Sequence, residues 1–595
     1  MRAPNRLPEP GSSVVAPVAA LGLCAVMACG VGSAWLAAVL GALLAGRPAP
    51  GSVHAFLSDV AAGRVFWGAG ETALLLVLIA VLGGLACAAL LAARRIGRRR
   101  TRVDGKAAFM ATARDLTLLS PAGCAADAAR LAAAHAGPGV PLGTAVRTGQ
   151  ALRATWEWVQ LWIMGPRAGK TTCVCVPQIL ETTGPVLATS NKRDIVDLTR
   201  GPRSMTGVVW VHDLQNLIGE PPTWWWNPLT YVTGTTTADE LADLFVTSAT
   251  NAGATQDAYF ASAARGVLSS MLLGAAVGER PITDVLTWLY DVRDDTPLQL
   301  LIRHGHKQSA TVLEGAMKLT ERQRDGVYGT ARPWLDFLRD ENMLPWVTAQ
   351  GPDDQRPQFD PHAFAASTDT IYLISREGAG SARAMTGALT MATLKAAEQA
   401  ASRQPGGRLS TPLIAVLDEA ANVCRWRELP DLYSHYGSRG IILSTFLQSW
   451  AQGVAAWGEE GMQKLWGASN VRGAGPGLAQ NSFLTHLSEL IGDYDVRTRS
   501  VSAGKGHRST STSLQRRRLF DISDLTAMPP GRAVLTSTGL PAVLVRLDHY
   551  TTKPYADLVT ASQTYYEGLA VQAGQLAPTE PAPAAAPAGT AGRMR

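Results

Sequence analysis

The sequence predicts an α/β fold in which a wound sheet surrounds a phosphate-binding loop, with an all-helical insertion and a two-helix transmembrane anchor ahead of the core. Three observations predict it. Two uncharged stretches of bilayer length fall within residues 1–102. Short apolar β-type runs then alternate with helical patterns, except between Asp213 and Asp369, where strands almost vanish. One of those runs ends in the turn Gly169-Lys170-Thr171, which has the residue types of a phosphate cradle.

The anchor comes first along the chain. Gly11 to Gly46 holds no charged residue, and neither does "TALLLVLIAVLGGLACAALLAA" (72–93). A bilayer span takes roughly 20 apolar residues, so spans at about 15–45 and 72–93 are expected. The first stretch is longer than the core of a secretory signal peptide. Arg94, Arg95, Arg98, Arg99, Arg100 and Arg102 follow the second. The positive-inside rule puts that cluster, the N-terminus and everything downstream in the cytoplasm, with residues 47–71 outside. The cell membrane is then the location, with the lipid bilayer as a partner. The net charge of +6 is no larger than this cluster, so overall basicity says little about nucleic acid. Seven cysteines show neither a CxxC pair nor disulfide-like spacing, which fits buried free thiols in a reducing compartment.

At 595 residues, with 47% hydrophobic and 17% charged residues, the chain is expected to fold into two or three domains. Residues 103–150 are Ala/Gly-rich and read as a short helical lead-in. The nucleotide-binding core spans 151–235 and 351–570, with strands at 158–164, 184–190, 207–213, 369–375, 412–418, 440–446 and 532–537. Between its halves, 236–350 reads as an all-α insertion, where "DAYFASAARGVLSSMLLGAAVGE" has helical spacing. The tail 571–595 is Ala/Pro-rich and is expected to be disordered.

Chemistry concentrates at four places. The run "WVQLWIM" leads into Met164, Gly165, Pro166, Arg167, Ala168, Gly169, Lys170, Thr171 and Thr172, a strand–turn–helix setting whose backbone N–H groups can cradle phosphate. Lys170 would reach the β- and γ-phosphates of ATP, and Thr171 would ligate Mg2+. The strict pattern has glycine where Met164 stands; Gly165, next along, can supply the turn's freedom. Second, "PLIAVLDEA" ends a buried-type strand in Asp418-Glu419, where Asp418 would support Mg2+ and Glu419 would polarise the attacking water. An ordinary helix N-terminus also welcomes such a pair. Third, "RGIILSTFLQSWAQ" carries Gln448 at its end, as a γ-phosphate sensor or a plain helix cap. Arg439 precedes it, as a finger acting on a neighbouring subunit's nucleotide or a surface arginine. Fourth, "PTWWWNPLT" (222–230) offers aromatic surface for stacking or, more simply, for burial. Basic residues near aromatics in "LTERQRDGVYGTARPW" and "SLQRRRLF" could touch phosphates or lie solvated.

In this order, the motifs resemble the conjugative type IV secretion coupling proteins (TraG/TraD-like), with an actinobacterial-type character. The resemblance rests on the hairpin anchor, the 164–172 loop, "SNKRD" (190–194), "WNPL" (226–229) and the run of motifs over 411–540. It departs at Met164 and at Ser190, where relatives carry an acidic residue. It implies a RecA-like P-loop ATPase, hexameric, that delivers DNA with its relaxase to a type IV secretion channel. On this reading Lys170, Asp418, Glu419, Gln448 and Arg439 are catalytic, and the helical insertion meets the relaxosome. DNA would be held without sequence preference. Two rivals stand beside it: an FtsK-like DNA translocase, and a non-hydrolysing receptor for a secreted protein. No LSGGQ-type signature lies between the two motifs, which speaks against an ABC transporter ATPase.

Overall fold

The computed structural model describes residues 15–574, apart from 66, 99–100, 250–256, 377–381, 424 and 505–506. Most of the Ala/Pro-rich tail, 575–595, therefore lies outside the described residues. The chain divides into two compact units, Met1–Arg102 and Val103–Arg595.

In the first unit, two 30-residue helices, Val15–Leu44 and Ala69–Arg98, pack against each other, and a short helix at Val53–Ala61 contacts the first of them. Ser52 caps that short helix, its side chain accepting from the Ala55 N–H. Among the described residues, one helix is long and apolar enough to cross a membrane, and it is Ala258–Val277 of the second unit, 56% buried there as a core helix. The described apolar stretches of the first unit, Cys29–Leu44 and Ala69–Leu85, are shorter.

The second unit is built on a mixed sheet. Its strands are β1 (Val140–Ala145), β2 (Ala151–Ala154), β3 (Gln160–Ile163), β4 (Val186–Ser190), β5 (Val209–Asp213), β6 (Thr370–Ile374), β7 (Leu413–Leu417), β8 (Ile441–Leu447), β9 (Val471–Ala474), β12 (Arg532–Ser537) and β13 (Leu540–Arg546), while β10 (Asp493–Gly504) and β11 (His507–Arg518) form a separate ribbon. Among the described residues, eleven strands form this sheet in the order β2-β1-β13-β12-β9-β3-β8-β7-β4-β6-β5. From β9 to β5 all neighbours run parallel, and the β12, β13, β1 and β2 end is antiparallel. The strands β3, β4, β6, β7 and β8 are buried at every position, as expected of a parallel sheet covered on both faces. That is why they read as continuous apolar runs.

Strands form where the seven apolar runs lie. The stretch expected as a helical lead-in differs: helix Pro121–Arg130 is followed by β1, paired with β13 and β2. The sequence of β1, "VPLGTA", hides its character behind Pro141 and Gly143. Gly143 adopts φ +115, and a Cβ there would meet the Arg546 carbonyl oxygen at 2.6 Å, so glycine is the residue that fits. Between β5 and β6 the described elements are helical, and Ala258–Val277 packs against its neighbours in this insertion.

Candidate active site

In a parallel sheet the C-terminal strand ends share one edge, and ligands collect where the strand order turns. β8 lies between β3 and β7, so the segments leaving β3, β7 and β8 converge. The resulting cleft, about 410 Å3, is lined by Gly165 to Thr172, Asn191, Lys192, Asp194, Asp418, Glu419 and Gln448.

The loop after β3 turns on Arg167 (φ +58) and Gly169 (φ +84). It enters a wide helical turn at Thr171–Cys175 that continues as an α-helix, Val176–Leu180. Lys170 Nζ lies 2.8 Å from Asp418 Oδ1 and donates to Glu419 Oε1 at 2.5 Å. Gln448 Nε2 donates to the same Glu419 oxygen at 2.9 Å, and Gln452 Nε2 to the other at 3.3 Å. Glu419 holds a left-handed backbone (φ +54) just past the end of β7. Such a conformation is costly for a residue with a side chain and gathers at functional sites. The Thr189 hydroxyl donates to the Asp418 carbonyl at 2.9 Å, fixing the β7 end against β4.

Burial and charge oppose each other here. Burial raises the Asp418 carboxyl above its usual range against the pull of Lys170. Burial acts the same way on Glu419, but the Lys170 charge and the two glutamine amides outweigh it and hold that carboxyl below its usual range. For Lys170, burial alone would lower the ammonium; the two carboxylates reverse this and hold it above its ordinary value. The triad is thus a charged lysine between two acids, one of them firmly ionised.

Lys170, Thr171, Asp418, Glu419 and Gln448 come together as the sequence places them, along with Gly165 to Gly169 and Thr172. Met164 does not reach the cleft. It is fully buried beside Gly475, where a side chain would strike Met164 Cγ at 2.7 Å. Gly165 is required for a different reason from turn freedom: a Cβ there would meet the Gly477 carbonyl oxygen at 2.6 Å. Gly165 N–H also donates to the Pro476 carbonyl at 2.8 Å, which ties the loop to the segment after β9. Arg439 sits at the N-terminal end of β8, the far edge from Gln448, and donates to the Gly407 carbonyl at 2.9 Å. Seven strand residues separate the two ends, roughly 23 Å.

Asn191, Lys192, Asp194 and Gln452 escaped the sequence reading of the site. Asn191 and Lys192 line the cleft because β4 adjoins β7; the "SNKRD" motif was the available signal. Gln452 follows Gln448 by four residues, and Ser449 between them caps the helix Trp450–Ala468, accepting from the Gln452 N–H. The tryptophans serve packing: Trp224 and Trp226 are buried, with Trp224 against His212, Trp346 and Phe359.

Residues 412–530 match the family described as "TraM recognition site of TraD and TraG". The resemblance to TraG and TraD is borne out over this segment, which holds Asp418, Glu419 and Gln448. The bacterial conjugative coupling protein TrwBdeltaN70, in its unbound monoclinic form, is 14% identical over 68% of this chain and 88% of its own, with a TM-score of 0.49. TrwB in complex with the ATP analogue ADPNP gives 14%, 66%, 85% and 0.47. VirB4 of Thermoanaerobacter pseudethanolicus gives 13%, 71%, 98% and 0.38. No curated protein gives a match.

Proposed function

We propose that this chain is a membrane-anchored type IV coupling ATPase, which uses ATP hydrolysis to hand DNA with its bound relaxase to a secretion channel. One observation carries the reading: Lys170, Asp418, Glu419 and Gln448 converge from three adjacent strand ends on one cleft, inside or beside the TraD/TraG segment. A phosphate loop and an acidic strand end separated by one intervening strand is the arrangement that supports a RecA-like core.

The residues fit a magnesium–nucleoside triphosphate. The loop turn supplies backbone donors, Lys170 is the cation for phosphate oxygens, and Thr171 and Asp418 are the oxygen donors that would hold Mg2+. When bound, Mg2+ supplies charge neutralisation at the terminal phosphates. Lys170 exchanges its carboxylate partners for phosphate oxygens. Glu419, ionised at neutral pH, then has an oxygen free to accept a proton from the attacking water. Gln448 and Gln452 keep that carboxylate aimed. Arg439 has no place in its own chain's cleft, so its catalytic role is confined to a neighbouring subunit in a homo-hexameric ring. The two N-terminal helices are the anchor, with two spans and the core in the cytoplasm. The TraM-recognition match supports relaxosome contact.

The test is ATP hydrolysis by the full chain, with and without DNA, beside Lys170→Ala and Glu419→Gln. The reading expects DNA-stimulated hydrolysis that both substitutions abolish. Absence of stimulated hydrolysis at concentrations that permit oligomers would sink it. A receptor would instead bind a relaxase equally well after both substitutions.

A further inference from the structure

The ribbon β10–β11 stands apart from the main sheet, pairing only with itself along 12-residue arms. At about 3.4 Å per residue the arms run roughly 40 Å. A lone two-stranded ribbon is marginal in water, and this one is secured at its base. Tyr494 packs 4.5 Å from Phe109, and Leu519 and Phe520 are buried.

Its charge is unlike that of the rest of the chain. Residues 493–518 hold seven Lys and Arg against two Asp, a net of +5 where the whole chain has +6. The register sorts them. Arg516 and Arg518 stand across from Asp495 and Asp493 on one face of the ladder. Arg517, across from Tyr494, lies on the other, and the sequence from 498 to 513 is rich in Ser and Thr. Near the base, Arg516 and Arg518 lie 3.5 and 3.3 Å from Asp493, Arg518 is also 3.5 Å from Glu489, and their side chains are 79% and 44% exposed.

We infer that this ribbon is an arm that grips the sugar-phosphate backbone of duplex nucleic acid. Arginines and hydroxyls are the side chains that reach phosphate oxygens, and a two-stranded ribbon is narrow enough to enter a major groove. Between Asp495 and Arg518 there is no Phe, Tyr or Trp, so the platform that single strands need for base stacking is missing. The inference deepens the DNA reading proposed above and rests on it.

The experiment measures binding of the full chain to a short mixed-sequence duplex, the matching single strand and polyglutamate, across a salt series. It compares the parent with the combined Arg516→Gln, Arg517→Gln, Arg518→Gln variant and its all-Lys counterpart. The parent is expected to bind duplex at least as tightly as single strand. The Gln variant should lower the slope of log K against log salt by about 2–3, at about 0.9 per phosphate contact. The Lys variant should keep it, and all three proteins should melt at the same temperature. An unchanged slope in the Gln variant overturns the ribbon's role while leaving DNA as the partner. A parent that binds no DNA overturns both, and one that binds polyglutamate but not duplex assigns the ribbon to an acidic protein.

Discussion

Replacing Lys170 with alanine should damage stability as well as chemistry. Its ammonium is the shared counter-charge of Asp418 and Glu419, at 2.8 and 2.5 Å, and side-chain exposures are 11%, 5% and 6%. Removing one member of a buried ion pair costs about 3–5 kcal/mol, because the remaining charge loses its partner. Here two adjacent carboxylates are stranded. They respond by taking up protons, so the cost depends on pH. In the parent, Glu419 titrates below its usual range, so its contribution is full above the unfolded carboxyl range and is lost as pH falls through the folded value. In the variant both carboxyls shift upward. Their penalty is then greatest well above the carboxyl range and disappears as pH drops below it. Urea unfolding followed by tryptophan fluorescence at about pH 8 and about pH 5 checks this. The variant should lose about 3 kcal/mol at the higher pH and much less at the lower one, and adding Asp418→Asn should restore part of the loss. An unchanged midpoint at the higher pH would refute the triad as a stabilising unit.

Other substitutions separate packing from chemistry. Met164→Ala should cost about 2–5 kcal/mol of stability through the cavity it leaves, with nucleotide affinity per folded molecule unchanged; calorimetry against nucleotide titration reads the two. Gly165→Ala drives a methyl into the Gly477 backbone and should cost about 1–3 kcal/mol together with nucleotide binding, because the clash displaces the loop itself. Gln448→Ala removes a hydrogen bond to a charged carboxylate, about 1.5–3 kcal/mol. It should lower kcat by roughly tenfold or more with little change in KM, and Gln448→Glu should not rescue it.

Much of this core was legible because buried parallel strands appear as unbroken apolar runs, and "PLIAVLDEA" and "WVQLWIM" are such runs. What escaped was set by tertiary context. β1 carries a proline and a glycine, and β9 is four residues long with a glycine at Gly473, so neither looks like a strand until its partners are known. At the site, residue types named the phosphate loop and the acidic pair, but only strand order could say that Lys192 reaches the cleft or that Arg439 lies at the opposite edge. Met164 shows the same limit. Linear position put it in the nucleotide loop, and a close approach from Gly475, more than three hundred residues away, put it in the core.

The role of Glu419 is tested most directly by comparing parent and Glu419→Gln in two assays on the same preparations: equilibrium binding of magnesium–ATP and its steady-state hydrolysis. Both proteins should bind the nucleotide, the parent should hydrolyse it, and the variant should be slower by about 100-fold or more. Equal hydrolysis by the two would contradict the assignment of Glu419 as the base, and a parent that binds no magnesium–ATP would contradict the cleft as a nucleotide site.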